Sequence, residues 1–364
     1  MNPDPLAGLL LAGFHGTRAD DPEPAALAAA GVGGFVIFAR NVESPEQVHA
    51  LLAGLAAASP SPPLLAVDQE GGRVARLRAP LTVWPAMAQL GEAGDEATAR
   101  AVGRALGSEI AAVGFNVVFA PVLDVRFEGT TVAIGDRALS DDPAIVSALG
   151  RGLIQGLQDA GLAACAKHFP GHGHVTVDSH RALPTCPLDE AALRRDHLAP
   201  FADAVAAGVD SVMTAHVVYP AVDEAPATLS ARWIDGVLRK ELGHRGVVFS
   251  DDLEMGAITA GAGIAQAAVD SIRAGVDGLL VCSRRDAVAD VVARLRAEAD
   301  ADPAFAARCA ESLERLRALA AARPPRPVDV DHLAQHIGLE EHRRLAGRLG
   351  RSDDAPDPTR AHLS

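Results

Sequence analysis

The sequence predicts a single α/β domain, a (β/α)8 barrel of the TIM type, followed by a short C-terminal helical extension. Three observations support this fold class. Eight short apolar runs alternate with amphipathic stretches, which is the pattern of consecutive βα units. The length of 364 residues suits one barrel of roughly 250 residues with insertions. Nearly half of the residues are apolar and about a fifth are charged, as expected for a globular protein with a large core.

The eight apolar runs are the predicted strands, and each is short enough to cross a barrel once. They cover residues 9–14, 34–38, 64–67, 116–123, 162–167, 211–215, 246–250 and 278–282. Between them, apolar residues recur at helical spacing. These predicted helices cover residues 44–58, 96–113, 144–160, 194–207, 231–242 and 266–274. Eight alternations favour a closed barrel over an open, doubly wound sheet.

The chain changes character after the proline-rich residues 324–327. An amphipathic helix is predicted from Asp331 to about Leu349, and a polar tail rich in Asp, Pro and Ser follows it. The tail from Ser352 has almost nothing to bury, so we expect it to be disordered. The predicted organisation is therefore a barrel domain over residues 1–325 and a partly disordered extension over residues 326–364.

Charge and composition argue against several classes of partner. The formal net charge of -14 opposes binding to nucleic acid. No apolar run approaches the ~20 residues that span a bilayer, and the N-terminus lacks the positive charge of a secretory signal. The cysteines form no C-x-x-C pair and predict buried, reduced thiols, namely Cys165, Cys186, Cys282 and Cys309. We therefore expect a soluble, cytoplasmic protein.

Polar residues follow several of the predicted strands. In a barrel of this type every strand ends at the same rim, so residues just past the strands converge however far apart they are in sequence. The strand-end residues are Asp68, Asp124, Lys167, His168, His216, Asp251 and Asp252. A single one of them could simply cap the next helix, but the whole set predicts a functional site at this rim.

The loop after the fifth strand, residues 167–180, contains four histidines. His172 and His174 have the spacing of metal ligands. Metal-dependent amidohydrolase barrels carry such a pair after the first strand, so its position after the fifth argues against a metal site. A catalytic loop is the other interpretation, because Asp178 next to His180 would fix the imidazole tautomer and suit it for proton transfer near neutral pH.

A carboxylate at the end of the seventh predicted strand completes this chemistry. Asp251 directly follows the apolar run 246–250 and is well placed to attack a substrate at the barrel mouth. Retaining glycosidases use a carboxylate nucleophile together with a second group that acts first as acid and then as base. Asp251 and His180 could fill these two roles.

Several motifs are distributed along roughly residues 6 to 285. They are GFVIFARN at residues 34–41, VDQEGGRV at 67–74, FAPVLDV at 119–125, GDR at 135–137, KHFPGHG at 167–173, DSH at 178–180 and SDDL at 250–253. In sequence and in order, these motifs resemble those of family 3 glycoside hydrolases, in particular the NagZ-type β-N-acetylglucosaminidases (β-hexosaminidases).

The resemblance implies a role for each matching residue. Asp251 is implied as the nucleophile, and Asp178 with His180 as the acid/base dyad. The implied sugar-binding residues are Asp68, Arg76, Arg137, Lys167 and His168. It further implies cytoplasmic removal of terminal N-acetylglucosamine from muropeptides during peptidoglycan recycling. We expect a monomer that needs no cofactor or metal and whose partner is this small carbohydrate substrate.

Three alternatives stay open at this point. Some family 3 members with a histidine acid/base are phosphorylases, which use phosphate instead of water. A β-glucosidase is disfavoured because the sequence shows no second α/β domain. A catalytically inactive sugar-binding barrel would be expected to have lost the nucleophile or the dyad, yet Asp251, Asp178 and His180 are all present.

Overall fold

Eight parallel strands close into a barrel, which confirms the predicted fold class. The computed structural model describes residues 3–127, 129, 133–175, 183–259 and 263–350. The barrel strands are β1 (Leu10–Ala12), β2 (Gly34–Ile37), β3 (Leu64–Val67), β4 (Val117–Val118), β5 (Ala163–Phe169), β6 (Ser211–Thr214), β7 (Val247–Asp252) and β8 (Gly278–Val281). Each strand pairs with its neighbours in sequence, and β1 pairs with β8 to close the ring.

Helices surround the strands. They are α1 (Pro22–Ala30), α2 (Pro45–Ala58), α3 (Met87–Ala93), α4 (Glu96–Val113), α5 (Pro143–Asp159), α6 (residues 190–206), α7 (Arg232–Glu241), α8 (Gly256–Thr259), α9 (Ile264–Ala274), α10 (Arg285–Ala301), α11 (Pro303–Ala322) and α12 (Glu340–Leu349). The strands lie between this outer layer and the barrel interior, so both of their faces are buried. This explains why they are continuous apolar runs rather than alternating ones.

Helix α4 shows how the local sequence forms one of these elements. The Asp95 side chain accepts a hydrogen bond from the Thr98 amide at 2.8 Å and so caps the first turn. Ala99, Val102 and Ile110, which are spaced for one helical face, are almost completely buried. The predicted bounds of this helix, residues 96–113, agree with the structure.

The fourth strand is shorter than predicted. Residues 116–123 were expected to be extended, but regular pairing covers Val117–Val118 alone. Pro121 has no amide hydrogen to donate, which interrupts the ladder. The chain still runs beside β5, since the Lys167 amide donates to the Pro121 carbonyl at 3.1 Å and the Leu123 amide donates to the Lys167 carbonyl at 2.7 Å.

Two predicted helices contain wider turns than expected. Residues Leu193–Leu198 of α6 and the whole of α7 are π-helical. In α6, Pro200 lacks the amide hydrogen that an α-helical turn would donate to the Asp196 carbonyl. The spacing of apolar residues does not distinguish these turns from α-helix, so that spacing alone could not reveal them.

The segment after α11 packs against the barrel helices. The Val328 amide donates to the Ala112 carbonyl at 3.1 Å, and His342 Nδ1 lies 2.7 Å from a Glu109 oxygen. The prediction of one continuous helix from residue 331 to 349 is wrong, because the helix is interrupted in its middle. A 3-10 helix, Val330–Gln335, and α12 are separated at Gly338, which has φ +57° and lies against the Pro80 carbonyl. The tail from residue 352 lies outside the described residues.

Two findings bear on the protein's surroundings. All four cysteines are buried free thiols, as predicted. Among the helices of the described ranges, none combines the length and the apolar character needed to cross a bilayer.

Candidate active site

A cleft of about 700 Å³ opens where the barrel strands end. Six of the eight predicted site residues line it, namely Asp68, Arg76, Arg137, Lys167, His168 and Asp251. The other two, Asp178 and His180, lie outside the described residues. Of the seven strand-end residues, five line the cleft, namely Asp68, Lys167, His168, Asp251 and Asp252. The other two, Asp124 and His216, are buried and do not line it.

Different elements supply these side chains. Asp68 directly follows β3, and Lys167 and His168 are part of β5. Arg76 follows a small antiparallel hairpin formed by Gln69–Gly71 and Val74–Ala75. Arg137 comes from a short 3-10 turn, Gly135–Arg137.

Lys167 is the centre of a buried ion-pair network. Its Nζ lies 2.8 Å from Asp68 Oδ1 and 2.6 Å from Glu70 Oε1. Arg76 Nη2 lies 3.0 Å from the other oxygen of Asp68. Burial would raise the pKa of the Asp68 carboxyl, but the charges of Lys167 and Arg76 outweigh burial and hold that pKa well below its ordinary value.

Glu70 extends the network to Arg137. Two parallel hydrogen bonds of 2.8 Å join the Arg137 guanidinium to the two carboxylate oxygens. Burial opposes ionisation of Glu70, yet Arg137 and Lys167 lower its pKa to about 2. The sequence analysis gave Glu70 no role of its own. Its position two residues after Asp68 was the available signal, because such residues share one side of an extended chain.

Asp124 holds the start of the loop after β5. Its Oδ2 lies 2.7 Å from His168 Nδ1, and its Oδ1 accepts from the His172 amide at 2.6 Å and from the His168 amide at 3.2 Å. Asp124 was predicted at the rim but is completely buried beneath it. Burial opposes its ionisation, but His168 and His172 hold its pKa well below the ordinary value.

The loop is also fixed by close backbone approaches. A Cβ on Gly173 would lie 1.7 Å from the Val125 carbonyl oxygen, so a larger residue cannot occupy this position without a backbone shift. The Tyr219 hydroxyl donates to the Gly171 carbonyl at 2.7 Å. These contacts define the path of residues 171–173 as the chain leaves the cleft.

Asp251 and Asp252 occupy different environments at the end of β7. Asp251 is partly exposed to the cleft, and its Oδ1 accepts a hydrogen bond from the Asp252 amide at 2.8 Å. Asp252 is more deeply buried. Burial, together with the Glu254 and Asp251 carboxylates, raises its pKa well above the ordinary value. Of the two, Asp251 is better suited to present an anionic oxygen to a ligand.

Apolar side chains form the rest of the cleft wall, including Phe38, Phe119, Met213, Met255 and Leu280. The Arg76 guanidinium carbon lies 5.6 Å from the centre of the Phe38 ring. A cleft with fixed charged groups on an apolar wall suits a ligand that has both hydroxyl groups and carbon faces, as sugars have.

His172 and His174 do not form a metal centre with other described residues. The structure, over the ranges given above, contains no group of three His, Cys, Asp or Glu side chains arranged to hold a metal ion. The His172 ring lies against the His168 ring at 6.0 Å, and the His174 ring lies against Phe127 at 4.4 Å. Burial lowers the pKa of His172 to about 4.

Residues 7–316 match the N-terminal domain model of glycosyl hydrolase family 3. The chain belongs to this family. The β-hexosaminidase of Alkalilimnicola ehrlichii is 44% identical over 304 residues, which are 82% of this chain and 86% of that protein. The chain is thus a glycoside hydrolase similar to β-hexosaminidases, including NagZ.

Solved structures of other family 3 enzymes share the fold. A family 3 β-N-acetylglucosaminidase from Paenibacillus sp. superposes with a TM-score of 0.87 at 39% identity, over 95% of this chain and 67% of that one. NagZ from Neisseria gonorrhoeae, in complex with N-trifluoroacetyl-D-glucosamine, has a TM-score of 0.78 at 33% identity, over 94% of this chain and 98% of that one.

Proposed function

We propose that this family 3 enzyme is a retaining exo-β-N-acetylglucosaminidase that releases terminal β-linked N-acetylglucosamine and acts as a monomer. One observation carries the proposal. Asp251 lines the same cleft as the fixed donors and acceptors contributed by Asp68, Arg76, Arg137, Lys167 and His168. Relatives named as β-hexosaminidases, and a NagZ that binds a glucosamine derivative, support the choice of sugar.

The charged network is suited to hold a sugar. A carboxylate has about four acceptor sites, so Asp68 can accept hydrogen bonds from sugar hydroxyls while it pairs with Arg76 and Lys167. The Arg76, Arg137 and Lys167 side chains donate, and can bind hydroxyl oxygens or the acetamido carbonyl. Ion pairs hold these side chains in place before the sugar binds, so the side chains need not reorient to contact it.

The proposed reaction has two steps. In the first, an Asp251 oxygen attacks the anomeric carbon, the bond from that carbon to the aglycone oxygen breaks, and His180 gives its proton to the departing oxygen. In the second, water loses a proton to His180 and attacks the same carbon. The bond to Asp251 then breaks, which restores its carboxylate and releases the β-anomer of the sugar.

His180 and Asp178 are proposed as the acid/base dyad on the grounds of sequence. The described part of their loop, up to Val175, leaves from the floor of the cleft at His168 and is anchored by Asp124. A histidine has an ordinary pKa near 6.5, which suits both the acid and the base step near neutral pH.

For the biological substrate, we propose muropeptides that carry terminal N-acetylglucosamine, processed in the cytoplasm during peptidoglycan recycling. The four buried free thiols are what a reducing compartment favours. Comparing the release of N-acetylglucosamine from an anhydro-muropeptide and from chitobiose would test this preference. Equal or faster turnover of chitobiose would contradict it.

The reaction itself is tested with an aryl β-N-acetylglucosaminide and the matching β-glucoside, with and without phosphate, while the product is followed by NMR. The proposal predicts hydrolysis of the first substrate alone, with the β-anomer appearing first and no dependence on phosphate. Initial release of the α-anomer would exclude a retaining mechanism. Formation of a sugar 1-phosphate would instead identify a phosphorylase.

A further inference from the structure

Strand β7 leaves its regular ladder just before it reaches Asp251. On one side, residues 247–249 pair with residues 211–213 of β6, and this pairing ends at Phe249. On the other side, the register with β8 shifts between Phe249 and Asp252. Such bulges are common beside active sites, where they redirect a side chain. The stretch that presents Asp251 therefore lacks the backbone bonds to β6 that hold the rest of the strand.

Side chains take the place of these backbone bonds. The Thr214 hydroxyl lies 3.3 Å from the Phe249 carbonyl oxygen, and His216 Nε2 lies 3.0 Å from the Asp252 carbonyl oxygen. Thr228 Oγ1 joins the two, at 2.9 Å from Thr214 Oγ1 and 2.8 Å from His216 Nδ1. All three side chains are completely buried.

One of these hydrogen bonds has a fixed direction. A carbonyl oxygen can only accept, so His216 Nε2 must carry a hydrogen and donate it to Asp252. On the other side of the ring, Nδ1 lies 2.8 Å from Thr228 Oγ1, which also donates to the Ala215 carbonyl at 3.1 Å. The imidazole is therefore held at both nitrogens, by Thr228 and by the strand.

We propose that His216 is a positioning residue for the nucleophile of this enzyme. The connection runs through the backbone of Asp252. His216 binds the Asp252 carbonyl, and the Asp252 amide donates to Asp251 Oδ1 at 2.8 Å. Fixing one peptide of Asp252 restricts the other, and so restricts the direction of the Asp251 carboxylate. The inference rests on the proposed function, in which Asp251 attacks the sugar.

This role accounts for a residue that the sequence analysis placed at the rim without a function. His216 was expected to face the cleft with the other strand-end residues, but its ring is buried against the protein backbone. It acts on the reaction through geometry. A misplacement of about 1 Å in a reacting group costs about 10²-fold in rate.

The test measures the attack step directly. A fluorinated N-acetylglucosaminyl fluoride forms a glycosyl-enzyme that hydrolyses slowly, so its rate of attachment, followed by mass spectrometry, reports the attack by Asp251. His216→Phe keeps an aromatic ring at this position and removes the hydrogen bonds of Nδ1 and Nε2. His216→Gln restores a donor, because its amide nitrogen is as many bonds from Cα as Nε2 is. Thr228→Val removes the hydroxyl that orients the ring, and serves if His216→Phe does not fold.

His244 provides a matched control. It is also buried, and its Nε2 lies 3.2 Å from the Val247 carbonyl oxygen, at the opposite end of the same strand. His244→Phe therefore removes the same kind of bond far from Asp251. We expect it to lower the melting temperature and to leave the labelling rate unchanged.

We expect His216→Phe to lower the labelling rate and kcat by about 10²-fold with little change in KM. His216→Gln should recover most of this loss, and Thr228→Val should shift the rate in the same direction as His216→Phe. Two outcomes would overturn this inference and leave the proposed function intact. One is a labelling rate that falls in His216→Phe and His244→Phe in proportion to their lost stability. The other is a wild-type labelling rate in both His216→Phe and Thr228→Val. If the wild-type enzyme is not labelled on Asp251, the proposed function fails and the inference fails with it.

Discussion

The Asp124 carboxylate binds the ring of His168 and the backbone of His172 at the same time, at 2.7 Å and 2.6 Å. One buried residue therefore sets both the orientation of a cleft side chain and the start of the loop that leads to Asp178 and His180. Because a carboxylate only accepts, His168 Nδ1 must donate to it, which leaves Nε2 as the nitrogen available to a ligand.

Asp124→Asn should therefore impair catalysis, although the Asp and Asn side chains are nearly equal in size. Rotated to accept from the backbone amides, the new side chain turns its NH2 group toward His168 Nδ1, so two donors meet and the ring must change tautomer. We expect kcat/KM to fall at least about 10-fold, with a loss of about 1–3 kcal/mol in the free energy of unfolding. Steady-state kinetics and urea unfolding measure the two effects. Asp95→Asn is the control, since asparagine caps a helix as well as aspartate does; equal effects of the two substitutions would contradict the prediction.

Acid should destabilise this enzyme over a defined range of pH. Interactions with Arg137 and Lys167 lower the pKa of buried Glu70 from the ordinary 4.5 to about 2. A lowered pKa in the folded state gives stability that is fully present above the ordinary value and is lost as the pH falls towards the folded value. Asp68 and Asp124 shift in the same direction. The free energy of unfolding should decrease between pH 4.5 and pH 2, and a flat profile from urea unfolding would argue against the ion-pair network.

Glu70→Gln should be among the more destabilising single substitutions in the chain. It removes one partner of a buried pair and leaves the Arg137 guanidinium without its counter-charge, which typically costs about 3–5 kcal/mol. Glu96→Gln is the matched control, because Glu96 pairs with Arg151 at 2.7 Å on the surface, where a pair contributes about 0–1 kcal/mol. Similar losses for the two variants in denaturant unfolding would show that burial of the Glu70 pair adds nothing.

Asp251→Ala should abolish turnover while the fold is retained. Added azide distinguishes its role from that of an acid or base. If Asp251 is the nucleophile, azide can enter from the vacated side of the sugar and give the α-glycosyl azide. NMR of the product identifies the anomer. Activity near that of the wild-type enzyme, or formation of the β-azide, would remove Asp251 from the nucleophile role.

His180→Ala should affect substrates according to their leaving groups. Loss of general acid assistance costs about 10²–10⁴-fold when the departing oxygen needs a proton. An activated aryl glycoside needs little such help in the first step, so its loss should be smaller. The ratio of kcat/KM values for the two substrate types measures this difference. Equal losses on both would point to a structural role for His180.

The sequence predicted which residues line the cleft better than it predicted which of their charged side chains pair with one another. Strand-end positions and motifs were sufficient to bring Asp68, Lys167 and Asp251 to one cleft, because a parallel barrel delivers every strand end to the same rim. Which charge pairs with which depends on side-chain directions in three dimensions. For that reason Glu70 had no assigned role, although it binds both Arg137 and Lys167.

The errors have similar causes. His216 and Asp124 share the strand-end position of the cleft residues, but their side chains point into the protein. The break at Gly338 depends on a contact with Pro80, which is distant in sequence. Local patterns carry no information about such contacts, whereas they did locate all eight barrel strands along the chain.

The ion pairs around Lys167 also determine when the protein loses conformational freedom. A free lysine side chain samples many rotamers, and fixing it costs up to about 2 kcal/mol in entropy. Here Asp68 and Glu70 already hold the ammonium group, so this cost is met during folding. A ligand arriving in the cleft then encounters a receptor that is already ordered, and its binding should carry a correspondingly small entropic penalty.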